Sequence, residues 1–155
     1  MGTMTALRTL LFTVFVPGTV TLVFPWLILG GHMESAQWWW AGLLPLLPGI
    51  LIYAKCAWDF TFTGRGTPGP WDPPRALVSI GLYRFSRNPM YVGVVSILLG
   101  EVVYFGSLRL ALYSVAVTLG FHLWVVLYEE RVLRRKFGDD YDAYCARVPR
   151  WFALH

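Results

Sequence analysis

Four long apolar stretches dominate the sequence and leave few folds open to it. They cover residues 6–29, 38–58, 89–105 and 108–128. A helix that spans a bilayer needs about 20 mainly apolar residues, and about 17 at the short end. Of the 155 residues, 56% are hydrophobic and only 14% are charged, whereas a soluble domain has about 25% charged residues. We therefore predict an all-α fold, in which residues 1–155 form a single integral membrane domain with four transmembrane helices.

The orientation of this bundle follows from its basic residues. The loop at residues 59–88 carries four arginines, and the tail at residues 129–155 carries six basic residues. Four crossings place both segments on one side, which the positive-inside rule identifies as the cytoplasm. The first stretch is too long for a signal-peptide core, so we expect a retained helix and two cytoplasmic termini. The basic residues behind the net charge of +4 then set the orientation in the membrane and contact anionic lipid headgroups. The expected partner is therefore the bilayer and not nucleic acid.

Several common kinds of site are excluded by their missing motifs. The chain has no P-loop, no G-x-S-x-G elbow and no H-E-x-x-H. Its two cysteines, Cys56 and Cys145, are too far apart in sequence for a zinc motif, so no metal is expected. Gly64 and Gly66 lack the third glycine of a dinucleotide-binding turn. A Rossmann-type site, including that of the usual soluble methyltransferases, is therefore not predicted.

The remaining candidates lie near the predicted cytoplasmic ends of the helices. Gly64 and Gly66 lie in a stretch rich in Gly and Pro, which either lets the backbone approach a ligand or forms an ordinary loop. Asn88 and Pro89 are suited to the start of the third helix, as N-cap and first residue. A helix N-terminus flanked by Arg84 and Arg87 would attract a carboxylate.

Acidic residues and a histidine mark the fourth stretch. Glu129 and Glu130 follow it directly, and they either hold a ribose hydroxyl or an amine, or form a solvated turn in which Glu130 pairs with Arg134. His122 precedes Glu129 by seven residues, which at about 100° per residue puts both on one helix face. His122 is thus the candidate catalytic residue, although a hydrogen bond between helices would also explain it. Glu101 is either functional or reaches the outer headgroups.

Two further local features are predicted. Gly106 and Ser107 separate the third and fourth stretches, which should form a tight antiparallel hairpin. The tail should be helical with a break near Gly138, because Phe137, Tyr141, Tyr144 and Val148 recur at helical spacing. We expect this C-terminal helix to lie at the membrane interface and to close a pocket together with the loop.

These motifs occur in a recognisable order. Residues from about 64 to 151 resemble the isoprenylcysteine carboxyl methyltransferase family and the related phospholipid methyltransferases. The resemblance rests on Gly81-Leu-Tyr83, on Arg87-Asn-Pro-Met-Tyr91-Val-Gly93, on Glu129-Glu130, on Phe137-Gly-Asp-Asp-Tyr141 and on Val148-Pro-Arg150. It implies an integral membrane methyltransferase with S-adenosylmethionine as cofactor, bound at the cytoplasmic ends of the last two helices. The cofactor-binding residues that it implies are Gly64, Gly66, Arg75, Leu77, Val78, Tyr83, Asn88, Pro89, Met90, Tyr91, Glu129 and Glu130.

Two departures bear on the methyl acceptor. The carboxyl methyltransferases have His at the position of Asn88, and the arginine that serves their substrate carboxylate is replaced here by Val125. We therefore expect a smaller or less charged lipophilic acceptor, methylated by direct displacement. An NADPH-dependent membrane reductase of the sterol-reductase type is the alternative, with Arg131, Arg134 and Arg135 for the 2′-phosphate. The Glu129-Glu130 pair argues against a polyanionic cofactor.

Overall fold

The computed structural model describes residues 2–31, 34–64 and 77–152, and this part of the chain contains helices and no strand. The all-α expectation is thereby confirmed for the described residues. Three π-helical segments lie at Thr19–Val23, Phe60–Gly64 and Val125–Glu129, and a 3₁₀ turn lies at Gly81–Arg84. The α-helices are α1 (Gly2–Phe15), α2 (Phe24–Leu29), α3 (Trp39–Asp59), α4 (Pro89–Phe105), α5 (Leu108–Trp124), α6 (Glu130–Phe137) and α7 (Asp139–Arg147).

Three continuous helices are long and apolar enough to cross a membrane. They are Leu7–Leu29, Trp39–Phe62 and Leu108–Phe137, in which π-helical segments join or extend the α-helices. Helix α4 is apolar and has the predicted bounds, but with 17 residues it is shorter than these three. A fourth crossing by α4 therefore stays a prediction.

The end of the fourth apolar stretch differs from the expectation. The helix does not stop at residue 128 but continues through Val125–Glu129 into α6. Its 30 residues correspond to roughly 45 Å, which exceeds the hydrocarbon core of about 30 Å. Glu129 and Glu130 thus lie within a continuous helix and not at its C-terminus.

Helices α3 and α4 pack most extensively, and glycines make their close approach possible. A Cβ atom at Gly42 would lie 2.6 Å from the carbonyl oxygen of Gly100, and one at Gly49 would lie 2.8 Å from that of Gly93. Small residues at helix crossings let backbones approach in this way in membrane proteins. The two pairs fix α4, and therefore the start of the candidate site, against α3.

Hydrogen bonds between helices fix the first helix to the bundle. The Tyr53 hydroxyl donates to Oγ1 of Thr13 (3.0 Å), and Oγ1 of Thr61 donates to that of Thr9 (2.9 Å). The Tyr113 hydroxyl donates to a carbonyl of the π-helical segment Thr19–Val23. The N-terminal helix therefore forms one side of a space that α4 and α5 border on another side.

The predicted turns are present. Gly106 adopts φ 60°, and the Ser107 hydroxyl caps α5 by accepting from the Leu110 amide (3.4 Å). Gly138, with φ 53°, separates α6 from α7. The apolar face of the tail is buried inside the protein, where Tyr141, Tyr144 and Val148 form a cluster.

Candidate functional site

A cavity of about 650 Å³ lies between the N-terminal helix, the α4–α5 hairpin and the C-terminal tail. This volume falls within the range of small-molecule and cofactor sites, about 300–1,000 Å³. One part of its wall is apolar and comes from inside the bundle, with Phe12, Val16, Val20, Phe24, Val117 and Phe121. The other part carries polar groups from the start of α4, from the end of the long α5–α6 helix and from α7.

The structure brings eight of the predicted cofactor-binding residues to this one wall. Pro89 is buried at the start of α4 but does not line the cavity, and Gly64 is the last residue of the π-helical segment Phe60–Gly64. Gly66 and Arg75 lie outside the described residues. The eight are Leu77, Val78, Tyr83, Asn88, Met90, Tyr91, Glu129 and Glu130.

Glu129 is a partly buried carboxylate on the cavity wall. The Tyr91 hydroxyl donates a hydrogen bond to its Oε2 (2.8 Å). Among residues 2–31, 34–64 and 77–152, no basic side chain forms an ion pair with it. A carboxylate removed from water is costly unless it is paired, so this position favours a ligand that is cationic or rich in hydroxyl donors.

Glu130 is engaged by two arginines. Nε and Nη2 of Arg150 donate to its two carboxylate oxygens (2.7 and 3.0 Å), and Arg87 approaches Oε1 at 3.1 Å. Arg134, the partner expected from the i,i+4 spacing, pairs instead with Asp142 (2.7 Å). The solvated-turn interpretation of Glu130 is therefore wrong, because the tail folds back and brings Arg150 to it.

The segment before α4 is fastened to this tail. The Asn88 side chain makes no capping bond to α4 and donates instead to the Arg150 carbonyl (3.0 Å). The Ser86 hydroxyl donates to the same carbonyl (3.2 Å), and the Arg87 amide donates to the carbonyl of Pro149 (2.9 Å). Asn88 thus occupies the predicted N-cap position of α4, but its side-chain amide holds the tail against the site instead of capping the helix.

The tyrosines next to this segment are neutral hydrogen-bonding groups. Burial raises the pKa of Tyr83 well above its ordinary value, and burial also raises the pKa of Tyr141 and Tyr144. The Tyr144 hydroxyl donates to the Tyr83 carbonyl (2.6 Å). Because a raised phenol pKa keeps the proton on oxygen at neutral pH, these residues can donate hydrogen bonds but do not act as bases.

His122 does not point into the cavity. It is exposed, it is not part of the cavity wall, and its Nδ1 accepts a hydrogen bond from Nε1 of Trp151 (3.3 Å). The π-helical segment Val125–Glu129 lies between His122 and Glu129, and π-helical residues turn less per step than α-helical ones. The seven-residue spacing therefore does not put both side chains on one face, and the inward orientation expected for His122 is wrong.

Glu101 lies elsewhere in the bundle. Its side chain is buried, and its Oε2 has no hydrogen-bond partner in the part of the chain that the structure describes. The interpretation that it reaches the outer headgroups is therefore wrong. Glu101 is not part of the cavity wall.

The apolar wall contributed by the N-terminal helix was missed by sequence reasoning. Phe12, Val16, Val20 and Phe24 recur every four residues, a spacing that keeps them on one side of a helix. In a stretch that is apolar all round, this pattern does not stand out. Their part in the cavity wall becomes clear only in the fold, which places them opposite α5.

Comparison with protein families identifies the chain. The model of the phospholipid methyltransferase family matches residues 38–140, about two thirds of the sequence. The chain belongs to the phospholipid methyltransferase family. Membership confirms the resemblance to the phospholipid methyltransferases up to residue 140 and extends it to α3, which the motifs alone did not include. No curated protein and no solved structure matches the chain.

Phospholipid methyltransferases carry out methyl transfer in membranes. Three helices of this chain are long and apolar enough to cross a membrane. The matched region contains α3, α4, α5 and α6, and with them Tyr91, Glu129 and Glu130. The three arginines expected of an NADPH site, Arg131, Arg134 and Arg135, do not line the cavity. The cavity wall therefore gives no support to the reductase alternative.

Proposed function

We propose that the protein transfers a methyl group from S-adenosylmethionine to a lipophilic acceptor that enters from the membrane. The observation that carries this proposal is the composition of the cavity wall. A carboxylate with no basic partner among the described residues lies at one part of the wall, and an apolar surface from α1, α2 and α5 forms the other. A cationic nucleoside cofactor needs a carboxylate of this kind, and an apolar acceptor needs an apolar surface.

The polar residues of the wall fit the chemistry of this cofactor. Glu129 can accept a hydrogen bond from a ribose hydroxyl or from an ammonium group, and Tyr91 holds its carboxylate in one orientation. Tyr83, Tyr141 and Tyr144 bring aromatic rings to the same part of the cavity, and such rings attract cations as well as planar bases. When bound, the cofactor would supply a methyl group on a positively charged sulfur.

The contribution of the protein would then be orientation and exclusion of water. Direct displacement requires the two reactants in line, and fixed geometry of this kind contributes up to roughly 7–11 kcal/mol in favourable cases. The apolar wall would hold the acceptor and keep water away from the reacting groups. Because His122 lies outside the cavity, it would not serve as the base that an amine or hydroxyl acceptor needs.

Calorimetry on the purified protein in detergent tests the proposal. We expect binding of S-adenosylmethionine and of its demethylated product, S-adenosylhomocysteine, and no binding of NADPH. The control is Arg134→Gln, since Arg134 is exposed, pairs with Asp142 and does not line the cavity. Binding of NADPH without binding of either nucleoside would reject the methyltransferase proposal in favour of the reductase.

A further inference from the structure

The guanidinium of Arg87 forms part of the cavity wall, and its own contacts do not satisfy it. Its Nη1 lies 3.1 Å from Oε1 of Glu130 and 2.7 Å from Sγ of Cys145. Its Nε is buried and has no hydrogen-bond partner among the residues that the structure describes. A buried donor without a partner is uncommon and costs free energy, and Arg87 also lines the cavity, where a ligand group beside its guanidinium would find a donor.

Glu130 and Arg150 hold Arg87 in this position. Arg150 engages both oxygens of Glu130 in a fork, and the carbonyl of the same residue accepts bonds from Ser86 and Asn88, on either side of Arg87. Paired, planar contacts of this type define orientation as well as adding energy. The side chain of Arg87, with 12% exposure, is thus held in place against the cavity.

The charges around this group do not cancel. Arg87 and Arg150 carry two positive charges, and Glu130 supplies one negative charge between them. A single negative group of a ligand would balance the cluster. Glu129, on the same cavity wall, is bonded to Tyr91 and not to this cluster, so the wall presents a cationic and an anionic position.

We propose that Arg87 is the anion-binding residue of the cavity and that Glu130 and Arg150 are its positioning residues. The expected ligand group is a carboxylate or a phosphate, for which the guanidinium fork is well matched. The group comes either from the amino-acid part of the cofactor or from the headgroup of a lipid acceptor. If the group belongs to the cofactor, the proposal rests on the proposed function. If it belongs to a lipid headgroup, the proposal is independent of the cofactor.

Two ligand pairs, measured by calorimetry on the full chain in dodecyl maltoside, test this proposal. The first pair is S-adenosylhomocysteine and its decarboxylated analogue, and the second is dodecyl phosphate and dodecanol. In at least one pair, we expect the parent protein to prefer the member that carries the carboxylate or phosphate by roughly ten- to hundredfold, the effect of one hydrogen bond to a charged group. Because this comparison is made on the unaltered protein, it does not depend on how any variant folds.

Variants then assign the preference to Arg87. In Arg87→Gln the preference should disappear, while affinity for the member without the carboxylate or phosphate stays the same. Arg150→Gln should reduce the preference in part, and Arg150→Lys should restore some of it, whereas the surface control Arg134→Gln should keep it in full.

The outcomes are distinct. Loss of the preference in the nucleoside pair identifies the cofactor carboxylate as the anion, and loss in the dodecyl pair identifies a lipid phosphate. If neither nucleoside binds, the proposed function fails, and the dodecyl pair alone then supports or overturns the anion site. The anion site is overturned if the parent prefers the carboxylate or phosphate in neither pair, or if Arg87→Gln keeps the preference of the parent.

Discussion

At the scale of single residues, the adjacent carboxylates of Glu129 and Glu130 face different surroundings. Glu130 lies among Arg87 and Arg150 and completes a buried ionic cluster that joins the tail to the start of α4. Glu129 contacts Tyr91 and faces the cavity. Neighbouring helical side chains point about 100° apart, so Glu130 can stabilise the fold while Glu129 remains open to a ligand.

Glu129→Gln is expected to weaken the binding of S-adenosylmethionine by roughly ten- to hundredfold. The change keeps the shape of the side chain but removes the charge, and hydrogen bonds to charged groups contribute about 1.5–3 kcal/mol. Folding should change little, because Glu129 forms no ion pair among the described residues. Calorimetry gives the affinity, and a thermal melt checks the fold.

The control for this variant is Asp139→Asn. Asp139 is exposed at the start of α7 and does not line the cavity, so its neutralisation should leave the affinity unchanged. Equal affinity in Glu129→Gln and the parent would remove Glu129 from the cofactor site.

Which single residues could be predicted from the sequence depends on how local their roles are. Tyr91 and Glu129 belong to short motifs, and both line the cavity. The partner of Glu130 could not be predicted, because Arg150 is 20 residues away and reaches it only after the chain reverses at Gly138. His122 was misplaced because π-helical geometry does not show in an apolar sequence.

At the scale of elements, the packing of α3 on α4 depends on four glycines. Each pair brings the two backbones so close that a Cβ atom would lie within 3.0 Å of a backbone atom of the other helix. Residues 42 and 49, like 93 and 100, are seven apart, which places each pair of glycines on one helix face.

Gly49→Ala is therefore expected to lower the stability of the protein by about 1–3 kcal/mol, the usual cost of overpacking. The new methyl group would lie 2.8 Å from both the Gly93 oxygen and the Ile97 nitrogen, and backbone cannot move aside cheaply. A thermal melt in detergent measures the effect.

Gly120→Ala is the matched control for Gly49→Ala. It also lies within a helix, but a Cβ atom there would have no contact within 4 Å. Because Ala favours a helix over Gly by about 0.5–1 kcal/mol, this variant should melt at the same or a higher temperature. A Gly49→Ala variant as stable as Gly120→Ala would contradict the packing argument.

Element boundaries were predictable where proline or glycine marks them. Helix α4 begins at Pro89 and ends before Gly106, as the sequence indicates. The end of the α5 helix was not predictable in this way, because Glu129-Glu130 and the following arginines suggested a turn. No glycine or proline interrupts residues 121–137, and the helix continues to Phe137.

At the scale of the whole molecule, the outer surface is apolar along the long helices. Leu44, Leu51 and Leu108 are each at least 70% exposed, as are many other large apolar side chains to a lesser degree. In water this surface would be an aggregation liability, whereas lipid covers it without cost. The sequence predicted this property from composition alone, because it requires no knowledge of how the helices pack.

The last prediction is that α4 crosses the membrane and that the loop before it and the tail lie together in the cytoplasm. Helix α4 has only 17 residues, but its partner in the hairpin is part of a helix that can cross. Tyr91 near the start of α4 contacts Glu129 near the end of that helix, and Arg87 contacts Glu130. If the long helix crosses, α4 must return across the same thickness.

Reporter fusions after residues 36, 106 and 152 measure this topology. Positions 36 and 106 lie in connections between helices that carry few basic residues, so we expect non-cytoplasmic signals there. Position 152 follows Arg147 and Arg150 in the basic tail and should give a cytoplasmic signal. Signals from one side at positions 106 and 152 would mean that the long helix does not cross, and opposite signals at positions 36 and 106 would mean that α3 and α4 do not form a paired crossing.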